Sequence, residues 1–138
     1  MTRSLFSALL LLLTGFYVQG QSHTNENPAK MQWFKDAKLG IFIHWGIYSV
    51  NGVDESWSFH NKKMSYADYM KQLNGFTAKN YNPGAWAQLI KESGARYAVI
   101  TTKHHDGIAL WDTKANNMST AKLTPARKDV ITPFFTAL

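Results

Sequence analysis

With 138 residues, no cysteine and a formal net charge of +6, the chain can hold neither a disulfide framework nor a cysteine nucleophile. Hydrophobic residues make up 45% of it, which argues against intrinsic disorder and is enough for a packed core. Its lysines are scattered and form no continuous basic tract, so we expect no nucleic-acid partner.

The first element is a predicted signal peptide at residues 1–20. Arg3 supplies the positive charge, residues 5–13 are almost continuously apolar, and residues 18–20 (VQG) fit a cleavage site. We expect cleavage after residue 20 and a periplasmic or extracellular protein, most simply a bacterial one, because an exported chain without disulfides suits that route. An uncleaved anchor is the alternative. The apolar run is short for a membrane span, so no stable membrane association is expected after cleavage.

The next segments run from a linker to a long loop. Residues 21–28 are polar and turn-forming, which is typical of a linker. Residues 29–38 have the apolar spacing of a helix, and residues 40–43 (GIFI) are predicted to form the first strand. Residues 46–63 are predicted to be a long loop with several aromatic side chains, and long loops of this kind are more often functional than idle.

Two helices are predicted between this loop and a second strand. Ser65 is a good N-cap for the first, while Asn82 followed by proline begins the second, which ends near Gly94. Residues 97–102 (YAVITT) are apolar and β-branched, as in a buried strand. The order strand, helix, strand predicts a parallel pair, and a further helix is predicted to begin near Asp129 or at residues 132–133 (TP). The second helix is predicted to face the core with Trp86, Leu89 and Ile90.

Polar side chains follow the end of each predicted strand. His44 comes directly after the first strand, and residues 103–107 (KHHDG) follow the second. The C-terminal ends of parallel strands are where α/β enzymes place their chemistry, so we expect a site at this edge.

The residue types at this edge suit a neutral sugar. A neutral imidazole donates one hydrogen bond and accepts another, so several histidines facing one cavity can hold paired hydroxyl groups. Tryptophan rings offer flat faces to sugar C–H groups, and a loop carboxylate accepts hydroxyl protons. The residues expected to do this are the histidines His44, His104 and His105, the tryptophans Trp45, Trp57 and Trp111, and the carboxylate Glu55.

A metal centre is the alternative for the same edge. His44, the histidine pair and Asp106 are suitable ligand types. Adjacent side chains at a strand end point to opposite faces, however, whereas metal pairs usually alternate along the strand. A metal-dependent hydrolase therefore stays open but is not favoured. Taken singly, each of these residues could also serve only the fold.

Two motifs together resemble the α-L-fucosidases of glycoside hydrolase family 29. They are residues 39–46 (LGIFIHWG) and 103–107 (KHHDG), with flanking matches at 31–34 (MQWF), 81–83 (YNP), 110–111 (LW) and 127–129 (RKD). The resemblance implies an α/β fold of the (β/α)8 TIM-barrel type, of which residues 29–138 would be the first two or so βα units. It also implies a retaining hydrolase that releases terminal α-L-fucose from oligosaccharides or glycoconjugates.

The resemblance also implies roles for particular residues. Many family members have glutamate directly before tryptophan, whereas Ser56 separates the two here. The nucleophilic aspartate and the acid/base carboxylate are expected beyond Leu138, and no metal or cofactor is expected. A non-catalytic fucose-binding module is the alternative function. The residues expected to bind the fucose are His44, Glu55, Trp57, His104 and His105.

Overall fold

The structure, a computed structural model, describes residues 28–138. The predicted signal peptide and nearly all of the predicted linker lie outside the described residues, and residue 28 already begins a helix. Within 28–138, no helix is both long and apolar enough to cross a membrane.

The described residues form a mixed α/β fold in which helices alternate with two strands. In chain order the elements are α1 (Pro28–Ala37), β1 (Gly40–Ile43), a 3-10 helix (Ile47–Ser49), α2 (Trp57–His60), α3 (Tyr66–Met70), a second 3-10 helix (Lys71–Gly75), α4 (Pro83–Glu92), β2 (Tyr97–Ile100), α5 (Thr120–Leu123) and α6 (Thr132–Ala137).

The two strands lie side by side and run parallel, as predicted. Their register pairs Gly40 with Tyr97 and Ile43 with Ile100, so both strands end at the same level. β2 is two residues shorter than predicted. The Thr101 N–H still donates to the Ile43 carbonyl at 3.0 Å, but the next contact between the two segments is made by the Thr101 hydroxyl. This hydroxyl accepts from the Trp45 N–H and donates to the Trp45 carbonyl, each at 2.9 Å. The segments that follow the strands are therefore held together.

The aromatic ring of Tyr97 explains the glycine that opens β1. This ring lies over Gly40, where a Cβ atom would overlap it. Phe34 of α1 packs against the same ring with centroids 5.0 Å apart. A side chain at Gly40 would push the ring away, so the contact between α1 and the sheet depends on glycine at this position.

The predicted helix starts at Ser65 and Asn82 are confirmed, and α6 begins at Thr132, which is the second of the two starts expected for the last helix. The Ser65 hydroxyl accepts from the Asp68 N–H at 3.0 Å, and the Asn82 side chain accepts from the Ala85 N–H at 3.0 Å. These side chains satisfy amide groups that have no partner inside the helix. Gly94 follows α4 with φ of +79°, a conformation that glycine adopts at a helix C-terminus.

Two features differ from the sequence prediction. Residues 46–63 are not a plain loop, because they contain the 3-10 helix Ile47–Ser49 and the helix α2. On α4, Ile90 is buried but Leu89 is 68% exposed. Neighbouring residues on a helix point about 100° apart, so the face that buries Ile90 turns Leu89 away from the core.

The long segment after β2 is held in place by burial in the core and by backbone hydrogen bonds. Leu110 is buried, and its N–H donates to the Thr102 carbonyl at 2.8 Å. The Val130 N–H in turn donates to the Leu110 carbonyl at 3.0 Å. Residues 103–107 belong to no strand or helix, but these bonds hold the chain in place before and after them.

Candidate active site

The structure brings together the three histidines that follow the strands. The rings of His44 and His104 lie edge to face with centroids 5.1 Å apart. The rings of His104 and His105 are 4.8 Å apart in a similar arrangement. The backbone turns after β2, so the adjacent histidines are not forced to opposite faces. The parallel register is what places His44 beside the pair.

Glu55 reaches the histidine cluster from the segment between β1 and α2. Its Oε1 lies 3.1 Å from Nε2 of His44, and the two side chains are 26% and 35% exposed respectively. The other oxygen, Oε2, is buried and has no hydrogen-bond partner among the described residues. Glu55 has φ of +40°, which costs a non-glycine residue about 1 kcal/mol or more. In this strained backbone conformation, the Glu55 carboxylate points at His44.

Trp57 lies on the other side of the histidine pair. It begins α2, is 55% exposed, and meets the His60 ring edge to face at 5.1 Å. A cavity of about 420 Å³ opens here, lined by Ser56, Trp57, Phe59, His60, His104 and His105. Glu55 and Trp57 are separated by Ser56: Glu55 contacts His44, whereas Trp57 lines this cavity. His104 lies beside His44 and also lines the cavity, so it belongs to both sets of residues.

The environment of His104 favours the neutral form of its imidazole. Burial lowers the pKa of His104, and this outweighs the nearby Glu55 carboxylate, which raises it. Its Nδ1 is buried without a hydrogen-bond partner among residues 28–138. A neutral ring with a free buried nitrogen is suited to hydrogen bonding with an uncharged ligand.

Tyr48 belongs to the site but was not predicted. It is 5% exposed and its ring stacks on His44 with centroids 5.0 Å apart and planes inclined by 29°. It also meets His104 edge to face at 5.8 Å. Burial raises the pKa of the phenol, and the Thr101 hydroxyl partly opposes that effect. The only sequence signal was an aromatic residue close after His44, which is too common to identify a site.

Asp106 serves the fold and not the cavity. It is 3% exposed. Its Oδ2 accepts from the Tyr69 hydroxyl at 2.8 Å, and its Oδ1 accepts from the Ile108 N–H at 2.9 Å. Burial is the main cause that raises the pKa of Tyr69, with Asp106 adding to it. The carboxylate therefore fixes the turn that carries His104 and His105, and it is not a ligand in the cluster.

Two of the predicted sugar-facing tryptophans are core residues. Trp45 lies 5.3 Å from each of the rings of Phe76, Tyr81 and Trp86. Trp111 is partly buried against the same core. Their aromatic faces are used for packing, so Trp57 is the one of the three predicted tryptophans that lines the cavity.

The possible metal ligands also differ from the set considered from the sequence. His44, Glu55 and His104 each offer a ligand atom, and these atoms lie within 4.8 Å of one another. Glu55 thus takes the place expected for Asp106, because the Asp106 oxygens already accept two hydrogen bonds in the fold.

Comparison with known proteins identifies the family. A family model described as Alpha-L-fucosidase matches residues 15–138. The chain belongs to the alpha-L-fucosidase family. It is 34% identical to tissue alpha-L-fucosidase of Bos taurus over 121 residues, which is 77% of this chain and 26% of that protein. It is 39% identical to the human plasma alpha-L-fucosidase over 94 residues, or 57% of this chain and 20% of that protein.

Solved fucosidase structures match the same part of the chain. Alpha-L-fucosidase isoenzyme 1 from Paenibacillus thiaminolyticus superposes with a TM-score of 0.73 and 39% identity, covering 80% of this chain and 26% of that one. The Thermotoga maritima alpha-fucosidase in complex with fucose gives a TM-score of 0.63 and 37% identity, covering 77% and 31%. The chain thus spans about a fifth to a third of the length of these fucosidases. The predicted family is confirmed.

Proposed function

We propose that this chain forms the fucose-binding part of a retaining α-L-fucosidase that releases terminal α-L-fucose from oligosaccharides or glycoconjugates. The carrying observation is the cluster of His44, Glu55, His104 and His105 beside the exposed ring of Trp57, in a chain of this family. Histidines that donate and accept, a partly buried carboxylate and a flat aromatic face match the alternating polar and apolar surfaces of a sugar ring.

Each group has a distinct task in this proposal. The imidazole of His104 donates a hydrogen bond to one sugar hydroxyl or accepts one from it. His44, oriented by Glu55, forms a hydrogen bond with the neighbouring hydroxyl of the sugar. The free oxygen of Glu55 accepts a hydrogen bond from a further sugar hydroxyl. Trp57 covers the apolar face of the ring. Together these contacts fix the position of the anomeric carbon, and such orientation is a main source of rate enhancement.

Bond cleavage needs two carboxylates about 5–5.5 Å apart, one as nucleophile and one as acid and base. Among residues 28–138, Glu55 is bound to His44 and Asp106 accepts two hydrogen bonds in the fold. As the resemblance to family 29 implies, we propose that segments beyond Leu138 supply the aspartate nucleophile and the acid/base. A Bacteroides thetaiotaomicron alpha-L-fucosidase, 32% identical to this chain, has been trapped as a covalent intermediate, which supports a retaining mechanism in the family.

The barrel is part of the same proposal. β1 and β2 are parallel and joined through helices, and the site residues follow their C-terminal ends. This arrangement fits the first two βα units of a (β/α)8 barrel, whose active site lies at that end of the strands. A solved structure of the natural gene product with six further strands closing the sheet is the expected result.

The proposed activity is tested on the natural gene product that carries this chain. We expect hydrolysis of 4-nitrophenyl α-L-fucoside, with NMR showing the α-anomer of fucose as the first product. His105→Ala or His44→Ala is expected to lower kcat/KM by at least about a hundredfold, because a buried hydroxyl group loses its partner. Absence of hydrolysis, a β-anomer as first product, or unchanged kinetics in both variants would each contradict the proposal.

Fucose binding without hydrolysis is the second candidate, since Glu55 already contacts His44 and both oxygens of Asp106 accept hydrogen bonds within the fold. It predicts a calorimetric binding signal for L-fucose without turnover of the aryl fucoside. We also propose export to the periplasm or medium, supported by the sequence of residues 1–20. N-terminal sequencing of the exported protein is expected to begin at residue 21.

A further inference from the structure

The same cluster could also bind a metal ion, because it contains three suitable ligands: His44, Glu55 and His104. Two imidazoles and one carboxylate, leaving a fourth position open, are the protein ligands of several zinc enzymes. Here the three ligand atoms already lie within 4.8 Å of one another. The Nε2 of His44 and the Oε1 of Glu55 are closer still, at 3.1 Å. The chemistry and the approximate spacing of a zinc site are therefore both present.

The movement needed to close this set on an ion is small. In tetrahedral coordination, zinc bonds of about 2.0–2.2 Å place neighbouring ligand atoms about 3.3–3.6 Å apart. A spacing of 4.8 Å must therefore shrink by no more than about 1.5 Å, which side-chain rotation can provide. His44 and Glu55 are 35% and 26% exposed, so neither is locked by packing on all sides.

Some polar atoms of the cluster lack hydrogen-bond partners, which favours the binding of a ligand. Glu55 Oε2 and His104 Nδ1 are both buried and without hydrogen-bond partners among the described residues. Three other carboxylates of the described chain form ion pairs with lysine, in the pairs Asp54–Lys63, Asp68–Lys71 and Asp112–Lys114. Glu55 has only imidazole beside it. A partly buried carboxylate beside two imidazole rings attracts a divalent cation.

We propose that His44, Glu55 and His104 bind Zn²⁺, or a cation of similar softness, when no sugar is present. The ion takes the nitrogen and oxygen atoms that the fucose hydroxyls would use, so cation and sugar exclude each other. Zinc then acts as a competitive inhibitor and takes no part in catalysis. The exclusion rests on the proposed function, whereas zinc binding itself rests only on the three side chains.

The test is isothermal titration of the natural gene product with ZnCl2 at neutral pH, with and without saturating L-fucose. We expect one zinc per chain that is removed by EDTA. Glu55→Gln and His104→Gln are each expected to weaken binding by at least about tenfold, because one ligand is lost. Asp54→Asn is the matched control: it removes an exposed carboxylate one residue before Glu55, and we expect its zinc affinity to equal that of the wild type.

The outcomes separate this inference from the proposed function. Zinc binding that is absent, or equally strong in both glutamine variants while near-ultraviolet circular dichroism shows them folded, would overturn the zinc site and leave the fucosidase proposal standing. Zinc binding with an active enzyme but no competition from fucose would overturn the exclusion. Zinc binding to a protein that neither hydrolyses fucosides nor binds fucose would overturn the proposed function alone.

Discussion

Nε2 of His44 lies 3.1 Å from Oε1 of Glu55, which joins a residue at the end of β1 to the segment before α2. The contact gives the histidine ring a fixed orientation, as carboxylates commonly do for functional imidazoles. It also uses only one of the two glutamate oxygens, so the second stays available for a ligand.

This pair gives the first prediction. Glu55→Gln keeps the size of the side chain but removes its charge and one of its acceptor oxygens. We expect kcat/KM for 4-nitrophenyl α-L-fucoside to fall by about tenfold to a hundredfold, because charge-assisted bonds contribute about 1.5–3 kcal/mol each. Asp54→Asn serves as the control and is expected to change kcat/KM by less than twofold. A Glu55→Gln enzyme with wild-type kinetics would remove Glu55 from the site.

Trp57 and Trp45 are expected to separate binding from stability. Trp57 is 55% exposed beside the cavity, so Trp57→Ala should lower kcat/KM by about tenfold and change the free energy of unfolding by less than about 0.5 kcal/mol. Trp45 packs among aromatic rings, so Trp45→Ala should cost about 3 kcal/mol. Urea unfolding and steady-state kinetics on both variants make the comparison. Equal effects on stability would contradict this assignment.

Gly40→Ala is expected to destabilise the protein by about 1–3 kcal/mol, because the new methyl group would occupy the space of the Tyr97 ring. Gly84→Ala is the matched control. Its Cβ would meet only the Asn82 side chain at 3.5 Å, inside α4, where alanine is favoured over glycine by up to about 1 kcal/mol. Thermal melts should therefore shift in opposite directions. A neutral Gly40→Ala variant would show that Tyr97 can move freely.

Asp106→Asn is expected to lower the free energy of unfolding by about 2 kcal/mol or more. Aspartate accepts from both the Tyr69 hydroxyl and the Ile108 N–H, whereas an asparagine NH2 group would face one of these donors. Tyr69→Phe removes a single bond and should cost only about 1 kcal/mol. Urea titration distinguishes the two. Should Asp106→Asn prove no more harmful than Tyr69→Phe, the double acceptor role would be wrong.

The pH dependence of stability follows from His104. Its pKa is lower when folded than the ordinary value of 6.5, mainly because of burial. The unfolded chain therefore binds more protons near that pH, and stability rises with pH and falls as the solution is acidified through 6.5. Thermal melts between pH 8 and pH 5 should show this loss. We expect His104→Gln to show a smaller loss on acidification than the wild type; an equal loss would assign it to other groups.

Local sequence patterns were enough to locate the two strands, two of the helix starts and the edge at which the three histidines meet. The apolar run at Gly40–Ile43 and the caps at Ser65 and Asn82 act within a few residues, and the structure has them where the sequence predicts. The parallel order of the strands then required the polar residues after them to meet. His44, His104 and His105 were found in this way.

The partners of the buried groups were decided only by the tertiary structure. Asp106 accepts from Tyr69, 37 residues earlier, and Trp45 pairs with Thr101 across 56 residues. No local pattern reports which of several carboxylates or aromatic rings a folded chain will bury. Asp106 and Trp45 therefore became part of the framework, and Tyr48 joined the site. The sequence by itself determined which chemistry the strand ends carry; three-dimensional packing decided which side chains are free to perform it.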